Sequence, residues 1–236
     1  MTVKLIILPH AGGASYAYQK LAQALSPRFE IYCHDLPGHG PRASEPLMET
    51  MEELSCDLQQ KIGSLDEQSW AVFGHSMGAL LAHDLIQSRH SRGHSLPFAF
   101  LASGTASPST KTRSQVSDLP SDLFWSRIQG YGGIPADALK MPEFKAYFET
   151  LLRSDFSIVE SYIPGQGALE VPIHVFYGQE DMSAKEADSW RDATQAETHC
   201  HPFEGGHFFL FDRISEISER ICHVLGDAGK RICNAP

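Results

Sequence analysis

Short apolar runs alternate with helix-like segments along this chain of 236 residues. The apolar runs predict six strands, at residues 5–8, 31–34, 70–73, 98–102, 173–177 and 199–203. Between them and after the last one, apolar residues recur every three or four positions and predict helices at 16–25, 48–62, 77–88 and 214–225. Strands that alternate with helices indicate a mainly parallel sheet with helices on both faces. Such sheets bind ligands in the loops at the carboxyl ends of their strands.

The stretch from 105 to 171 interrupts this alternation, because no strand is evident there. Apolar residues predict a short helix near 123–128 and a longer one over 144–156, and we interpret residues 113–165 as a helical lid. Ordinary helices that cover the sheet are the alternative. Phe144 and Phe148 are the lid residues that we expect to contact substrate. We expect one domain over 1–226 and a disordered tail over 227–236.

Composition excludes several classes of function. The formal net charge is −10, which is unfavourable for binding nucleic acid or an anionic membrane surface. No apolar run reaches the roughly 18 residues that span a bilayer, and no signal peptide is evident, so a cytoplasmic protein is expected. The five cysteines are scattered along the chain, which is not the pattern of a disulfide framework or a zinc site. His199 and His201 would share one face of a strand, but no third ligand is near in sequence, so no metal is expected there. No other cofactor is expected either.

A serine motif lies between a predicted strand and a predicted helix. Residues 74–78 read Gly-His-Ser-Met-Gly, which fits the Gly-x-Ser-x-Gly pattern of a nucleophile on a sharp strand-to-helix turn. The helix N-terminus would bring backbone N–H groups and partial positive charge to Ser76. A plain glycine-rich turn is the alternative, and the strand before and the helix after argue against it. We therefore predict that Ser76 is a nucleophile.

A serine nucleophile requires a base and an acid that orients the base, which follow it in the order acid, then histidine. Asp181 follows the strand at 173–177 and is the predicted acid, with the adjacent Glu180 as the alternative. His207 lies in a glycine-containing loop between the last strand and the last helix and is the predicted base. The competing histidines lie within the last strand or the last helix: His199, His201 and His223.

The oxyanion formed during acyl transfer needs two N–H donors. We predict the backbone N–H of Met77, directly after the nucleophile, and that of Ala11 in the turn after the first strand. A simple tight turn is the alternative for residues 9–13. Gly12 and Gly13 lack the spacing of a dinucleotide-binding loop.

Taken together, six segments resemble the type II thioesterases, the stand-alone editing enzymes of nonribosomal peptide and polyketide synthases. They are residues 8–14, 36–40, 74–78, 151–156, 177–181 and 205–209, and the resemblance extends over about residues 4–225. It implies the α/β-hydrolase fold, a triad of Ser76, Asp181 and His207, and a helical lid. One departure is visible: many members carry arginine in the loop after the second strand, where this chain has His39.

The resemblance also implies a substrate and a partner. The family hydrolyses acyl groups from the phosphopantetheine arm of acyl or peptidyl carrier proteins, so carrier proteins are the expected partners of an enzyme expected to be a monomer. Lys111 and Arg113 are candidates for carrier docking, with simple solvated charges as the alternative. A carboxylesterase or lipase with the same triad, or a binding protein without turnover, are the alternative functions. The intact triad argues against the binding protein.

Overall fold

The computed structural model describes residues 2–63, 65, 69–110, 115–134 and 137–233, with the backbone alone over 227–233. Within these ranges the chain forms six strands. They are β1 (Val3–Leu8), β2 (Phe29–Cys33), β3 (Trp70–His75), β4 (Ala99–Ser103), β5 (Ile173–Gly178) and β6 (Thr198–Phe203). All six lie where the sequence predicts a strand, to within about two residues at each end.

The strands form one sheet in the order β2-β1-β3-β4-β5-β6, and every neighbouring pair is parallel. The chain passes from β1 to β2 on one side of the sheet, and β3 and all later strands follow on the other side of β1. The direction in which strands are added therefore reverses between β1 and β3. The loops after β1 and β3 therefore diverge to opposite sides and leave a crevice at the carboxyl edge of the sheet. This edge is where a parallel sheet binds its ligands.

Helices cover both faces of the sheet, as predicted. They are α1 (Gln19–Leu25), α2 (Met51–Ile62), α3 (Met77–Ser91), α4 (Ser121–Tyr131), α5 (Pro142–Ser161), α6 (Ala184–Asp188), α7 (Phe209–Asp212) and α8 (Ile214–Cys233). Leu58 of α2 and Leu85 of α3 belong to a buried cluster on one face. Leu21 of α1 and Ile221 of α8 belong to the cluster on the opposite face. The sheet is thus the middle layer of three, with an apolar core on each side.

Two of the helices, α4 and α5, form the segment between β4 and β5 that was predicted to be helical. They enclose a small apolar cluster of their own, which includes Phe124, Trp125 and Leu152. Further along α5, Ile158 belongs to the main core, the buried cluster that also contains Leu58 of α2 and Leu85 of α3. One end of this long helix is therefore anchored on the sheet layer while the other packs against α4.

Some boundaries differ from the sequence predictions. The predicted first helix begins as a 3-10 helix, Ser15–Tyr18, and α2 begins at Met51, where Thr50 and Glu53 form a capping box. The last helix continues to Cys233, past the predicted end at Leu225. Residues 234–236, the end of the predicted disordered tail, lie outside the described residues. None of the described helices is long and apolar enough to cross a membrane.

Candidate active site

Ser76 occupies the turn between β3 and α3 in a strained backbone conformation. Its φ is 56° and its ψ is −117°, and it is the only non-glycine residue with positive φ among the described residues. Such a conformation costs about 1–3 kcal/mol and persists where the surrounding structure imposes it, often at functional sites. The Ser76 side chain makes no capping hydrogen bond to α3, so its hydroxyl is not used to stabilise the helix.

Close backbone crossings on both sides of Ser76 explain the two glycines of the motif. A Cβ on Gly74 would lie 2.2 Å from the carbonyl oxygen of Gly78, and a Cβ on Gly78 would lie 2.2 Å from that of Leu8. Real Cβ atoms do not approach this closely, so no other residue fits either position without a backbone shift. The Gly78 contact also brings the end of β1 against the first turn of α3.

His207 and Asp181 meet across the loops that follow β6 and β5. Their Nδ1 and Oδ2 atoms are 2.8 Å apart, and the side chains are 10% and 20% exposed. Because a carboxylate accepts hydrogen bonds, Nδ1 carries the proton, and in the neutral ring Nε2 is then free to accept one. The loops approach closely because Gly178 has no side chain: a Cβ there would lie 2.3 Å from the carbonyl oxygen of Gly206.

The competing residues have other environments. The backbone N–H of Glu180 donates to Gly205, which ties the two loops together, and the carboxylate that meets His207 is that of Asp181. His199 pairs with Glu197, and His201 lies against another strand histidine, His174. Among the described residues, no cluster of three or more His, Cys, Asp or Glu is arranged to hold a metal ion.

A cavity of about 650 Å³ extends from these residues to α4 and α5, the helices of the predicted lid. Ser76, Asp181 and His207 line it together with Ala11. Its apolar wall comes mainly from α4 and α5 and includes Ile128, Phe144, Phe148, Leu152 and Phe156. The rings of Phe144 and Phe148 stack with centroids 4.2 Å apart. The cavity therefore places a hydroxyl and an imidazole beside an apolar surface that suits a hydrocarbon chain.

The two predicted oxyanion donors lie in neighbouring segments. Met77 is the first residue of α3, where backbone N–H groups have no partner within the helix, and Ala11 lies in the turn after β1. Across the described ranges, neither N–H meets a protein acceptor. The contact between Leu8 and Gly78 brings the two segments together. Both donors are thus available to a ligand oxygen near Ser76.

Two histidines near His207, the buried His75 and the partly buried His10, were not identified from the sequence. The ring of His75 lies 5.1 Å from that of His207, and its Nδ1 is 2.9 Å from the hydroxyl of Ser103. Burial, followed by repulsion from His207 and His10, lowers the pKa of His75 well below 6.5. Burial also lowers the pKa of His10 to about 3. Both rings are neutral at physiological pH and add no positive charge next to His207.

Helix α5 contributes a buried carboxylate that was not identified from the sequence either. Asp155 accepts a hydrogen bond from the Gly12 N–H at 2.6 Å and lies 2.8 Å from His39 Nε2. His39 was noted only as a departure from the family pattern, and the structure buries it. Lys111 and Arg113, the candidates for carrier docking, lie outside the described residues.

Known proteins resemble this chain over nearly its full length. The family model described as "Thioesterase domain" matches residues 3–225. The thioesterase PikA5 of Streptomyces venezuelae is 30% identical, with 96% of this chain and 83% of that protein aligned. A Streptomyces griseus thioesterase named for cadicidin biosynthesis is also 30% identical, over 94% of this chain; the chain spans 62% of that protein's length. The crystal structure of ClbQ, from the colibactin NRPS/PKS pathway, superposes with a TM-score of 0.88 at 26% identity, covering 97% of this chain and 99% of ClbQ.

Proposed function

The chain belongs to the thioesterase family, and from that premise we propose that it hydrolyses acyl thioesters on the phosphopantetheine arm of carrier proteins. The observation that carries the proposal is the single cavity that Ser76, His207 and the apolar lid residues line together. It provides a nucleophile, a base and an acyl-binding surface in one space. The relatives PikA5 and ClbQ support the thioester as substrate, because the first is named a thioesterase and the second comes from an NRPS/PKS pathway.

Acylation of Ser76 is the first half of the proposed reaction. His207 Nε2 removes the hydroxyl proton as Ser76 Oγ attacks the thioester carbonyl carbon. The oxygen of the tetrahedral intermediate accepts hydrogen bonds from the N–H groups of Ala11 and Met77. The C–S bond then breaks, the phosphopantetheine sulfur takes the proton from His207, and the acyl group remains as an ester on Ser76. Asp181 holds the imidazole in the required tautomer and stabilises its charged form.

Hydrolysis of the acyl-enzyme completes the cycle by the same groups. His207 removes a proton from a water molecule as the water attacks the ester carbonyl, and the two N–H groups again stabilise the oxyanion. Ser76 leaves with the proton from His207, and a carboxylic acid is released. The overall reaction restores the free thiol of the carrier. Removing the acyl group in this way is how a stalled synthase would be edited.

The lid determines which acyl groups fit. Phe144 and Phe148 stack on each other and line the cavity, so an acyl chain bound to Ser76 would lie against them. Burying hydrocarbon against such a wall contributes roughly 0.8 kcal/mol per CH₂ group. The partner in this proposal is an acyl or peptidyl carrier protein, and the enzyme acts as a cytoplasmic monomer of one hydrolase domain with its lid.

A pair of substrates that differ in one atom tests this proposal. The same acyl chain is presented on a carrier-protein phosphopantetheine as the thioester and, with the sulfur replaced by oxygen, as the ester. We expect kcat/KM for the thioester to exceed that for the oxygen ester by at least tenfold. Equal rates, or faster hydrolysis of the ester, would instead identify a carboxylesterase or lipase that uses the same residues.

A further inference from the structure

His39 is a buried histidine with a hydrogen-bond acceptor at each ring nitrogen. It lies in the loop after β2 and is 1% exposed. Its Nδ1 is 2.9 Å from the backbone carbonyl oxygen of Pro37, and its Nε2 is 2.8 Å from Asp155 Oδ2. The side chains of His39 and Asp155 are 2% and 3% exposed, so water cannot replace either partner readily.

These contacts require a proton on both nitrogens. A carbonyl oxygen can only accept, so Nδ1 must donate to Pro37. Asp155 Oδ2 also accepts the Gly12 N–H at 2.6 Å, and an ionised carboxylate has no proton to donate to Nε2. Nε2 must then donate as well, and a ring with two N–H groups is an imidazolium. The pKa of His39 points the same way: burial acts to lower it, but the bond to Asp155, the Asp155 charge and the Pro37 carbonyl together raise it above 6.5.

Asp155 connects this charged ring to the loop that carries an oxyanion donor. The Gly12 N–H that it accepts directly follows Ala11 in the chain. Gly12 has φ of +73°, and a Cβ there would lie 2.6 Å from Leu152 Cδ2 on the same lid helix. The turn after β1 is therefore held against α5 by one hydrogen bond and one close contact, so the orientation of the Ala11 N–H depends on where Asp155 lies.

We propose that His39, as an imidazolium, is a positioning residue that holds Asp155 against Gly12 and thereby fixes the Ala11 oxyanion donor. The proposal rests on the proposed function, since Ala11 is a donor only if Ser76 performs acyl transfer. It adds a pH dependence to that function. When His39 loses its proton, one ring nitrogen presents a lone pair to an acceptor in a buried site, and the connection from α5 to the turn after β1 weakens.

The groups around His39 make its own proton the one that is lost as pH rises. Asp155 faces it from α5, and Asp35, which accepts from the backbone N–H and hydroxyl of Ser15, is the nearby carboxylate of its own loop. His10, from the turn after β1, is neutral because its pKa is about 3. Since the folded pKa of His39 is raised, its contribution to stability is complete below about pH 6.5 and is lost as pH rises through the folded pKa.

The test measures kcat and KM for a small soluble acyl thioester from about pH 5.5 to 9.5, where both limbs of a bell-shaped profile can be resolved. Wild type should lose about tenfold in kcat, with little change in KM, on an alkaline limb, because a misplaced oxyanion donor weakens only the transition state. His39→Arg keeps a permanent charge and donors, and His39→Gln keeps one donor without charge. Both should lack the alkaline limb, and His199→Gln, at an exposed histidine, should retain it.

An alkaline limb that persists in both His39 variants would overturn the proposal. The charge is also measured without activity, from imidazole ¹⁵N shifts of the wild-type protein labelled at histidine. We expect one imidazolium that is protected from solvent at pH 7, and a spectrum in which every buried imidazole is neutral at that pH contradicts the proposal even if neither variant folds. A protein that shows the buried imidazolium but hydrolyses no thioester would refute the proposed function and leave the charge of His39 established.

Discussion

Asp181 and Glu180 are adjacent carboxylates at the end of β5, but they face different partners. Asp181 Oδ2 is 2.8 Å from His207 Nδ1, while Glu180 contributes its backbone N–H to Gly205. An acid that orients the imidazole must accept from Nδ1, because the opposite nitrogen has to face the nucleophile. The difference lies at the scale of single atoms, and the sequence alone leaves both carboxylates open.

Replacing each carboxylate by its amide separates their roles. Asp181→Asn should lower kcat by on the order of 10³–10⁴, because the amide can stabilise the wrong tautomer of His207 and cannot balance its charge. Glu180→Gln should stay within about twofold of wild type, as expected for an exposed residue without a role in the reaction. Steady-state kinetics with one acyl thioester measure both. The assignment is wrong if the Glu180 variant loses more activity than the Asp181 variant.

Residues whose role depends on local sequence could be predicted, and those that depend on distant contacts could not. Ser76 and the predicted donor Met77 lie in a motif whose strand and helix flanks are visible in the sequence, and the structure places both at that turn. By contrast, Asp155 meets His39 and Gly12 across 116 and 143 positions. No periodicity or motif relates residues so far apart, so this contact appears only once α5 is packed on the sheet.

Among the elements, α5 connects the cavity to the core, since it carries cavity residues at one end and a core residue at the other. Phe148 lines the cavity and stacks on Phe144, while Ile158 belongs to the main core.

Phe148→Ala should reduce kcat/KM for long acyl thioesters by roughly 10–100-fold and for an acetyl thioester much less, because a large apolar contact contributes about 1.5–3 kcal/mol.

Leu123→Ala is the matched control for this prediction. Leu123 is an apolar residue of the neighbouring helix α4, but it is 58% exposed and should affect no chain length selectively. Rates are measured over a series of acyl thioesters of increasing length. If Phe148→Ala slows all lengths equally and in proportion to lost thermal stability, α4 and α5 are structural helices rather than a lid that selects substrate.

Whether a segment forms a helix or a strand could be predicted wherever the segment is long enough for its apolar residues to repeat at a regular spacing. The short helices α6 and α7 span five and four residues, too few for an apolar repeat, and the sequence analysis predicted neither. A usable signal was present at α6: Ser183 and Glu186 form a capping box, and a serine followed three residues later by a glutamate is visible in the sequence. The same pattern at Thr50 and Glu53 would have placed the start of α2 correctly.

For the whole molecule, one buried and three partly buried neutral histidines predict how stability responds to acid. Burial is the main cause that lowers the pKa of four of them: about 3 for His10 and His174, and about 4 for His34 and His201. In the unfolded chain their pKa is about 6.5, so below that pH unfolding takes up protons. Their contribution to stability is therefore complete above about pH 6.5 and is lost as pH falls toward 4.

Urea denaturation at about pH 7, 5.5 and 4.5 measures this effect. The free energy of unfolding should fall at each step, and His174→Gln should make the fall smaller, because one partly buried proton acceptor has been removed. His90→Gln, at an exposed histidine, should leave the pH dependence unchanged. A free energy of unfolding that is constant between about pH 7 and 4.5 would contradict the assignment of these rings as neutral in the folded protein.

Strand order is a property of the whole molecule. The sequence indicates the class of sheet but not the order of its strands. Alternating patterns predict a parallel sheet, but the order β2-β1-β3-β4-β5-β6 and its registers depend on which faces pack together. That order puts the turn after β1 beside Ser76 and puts the loops of Asp181 and His207 on adjacent strands. The candidate site therefore follows from motifs that the sequence displays and from a strand order that it does not.

The most direct test of covalent catalysis by Ser76 is the mass of the intact enzyme during turnover of an acyl-loaded carrier protein. Acid quenching within the first turnovers should show wild type carrying one acyl group, and peptide mapping should place it on Ser76. Ser76→Ala should show no adduct and lose on the order of 10⁴–10⁶ in kcat. An adduct on any other residue, or near-native turnover by Ser76→Ala, would contradict covalent catalysis by Ser76.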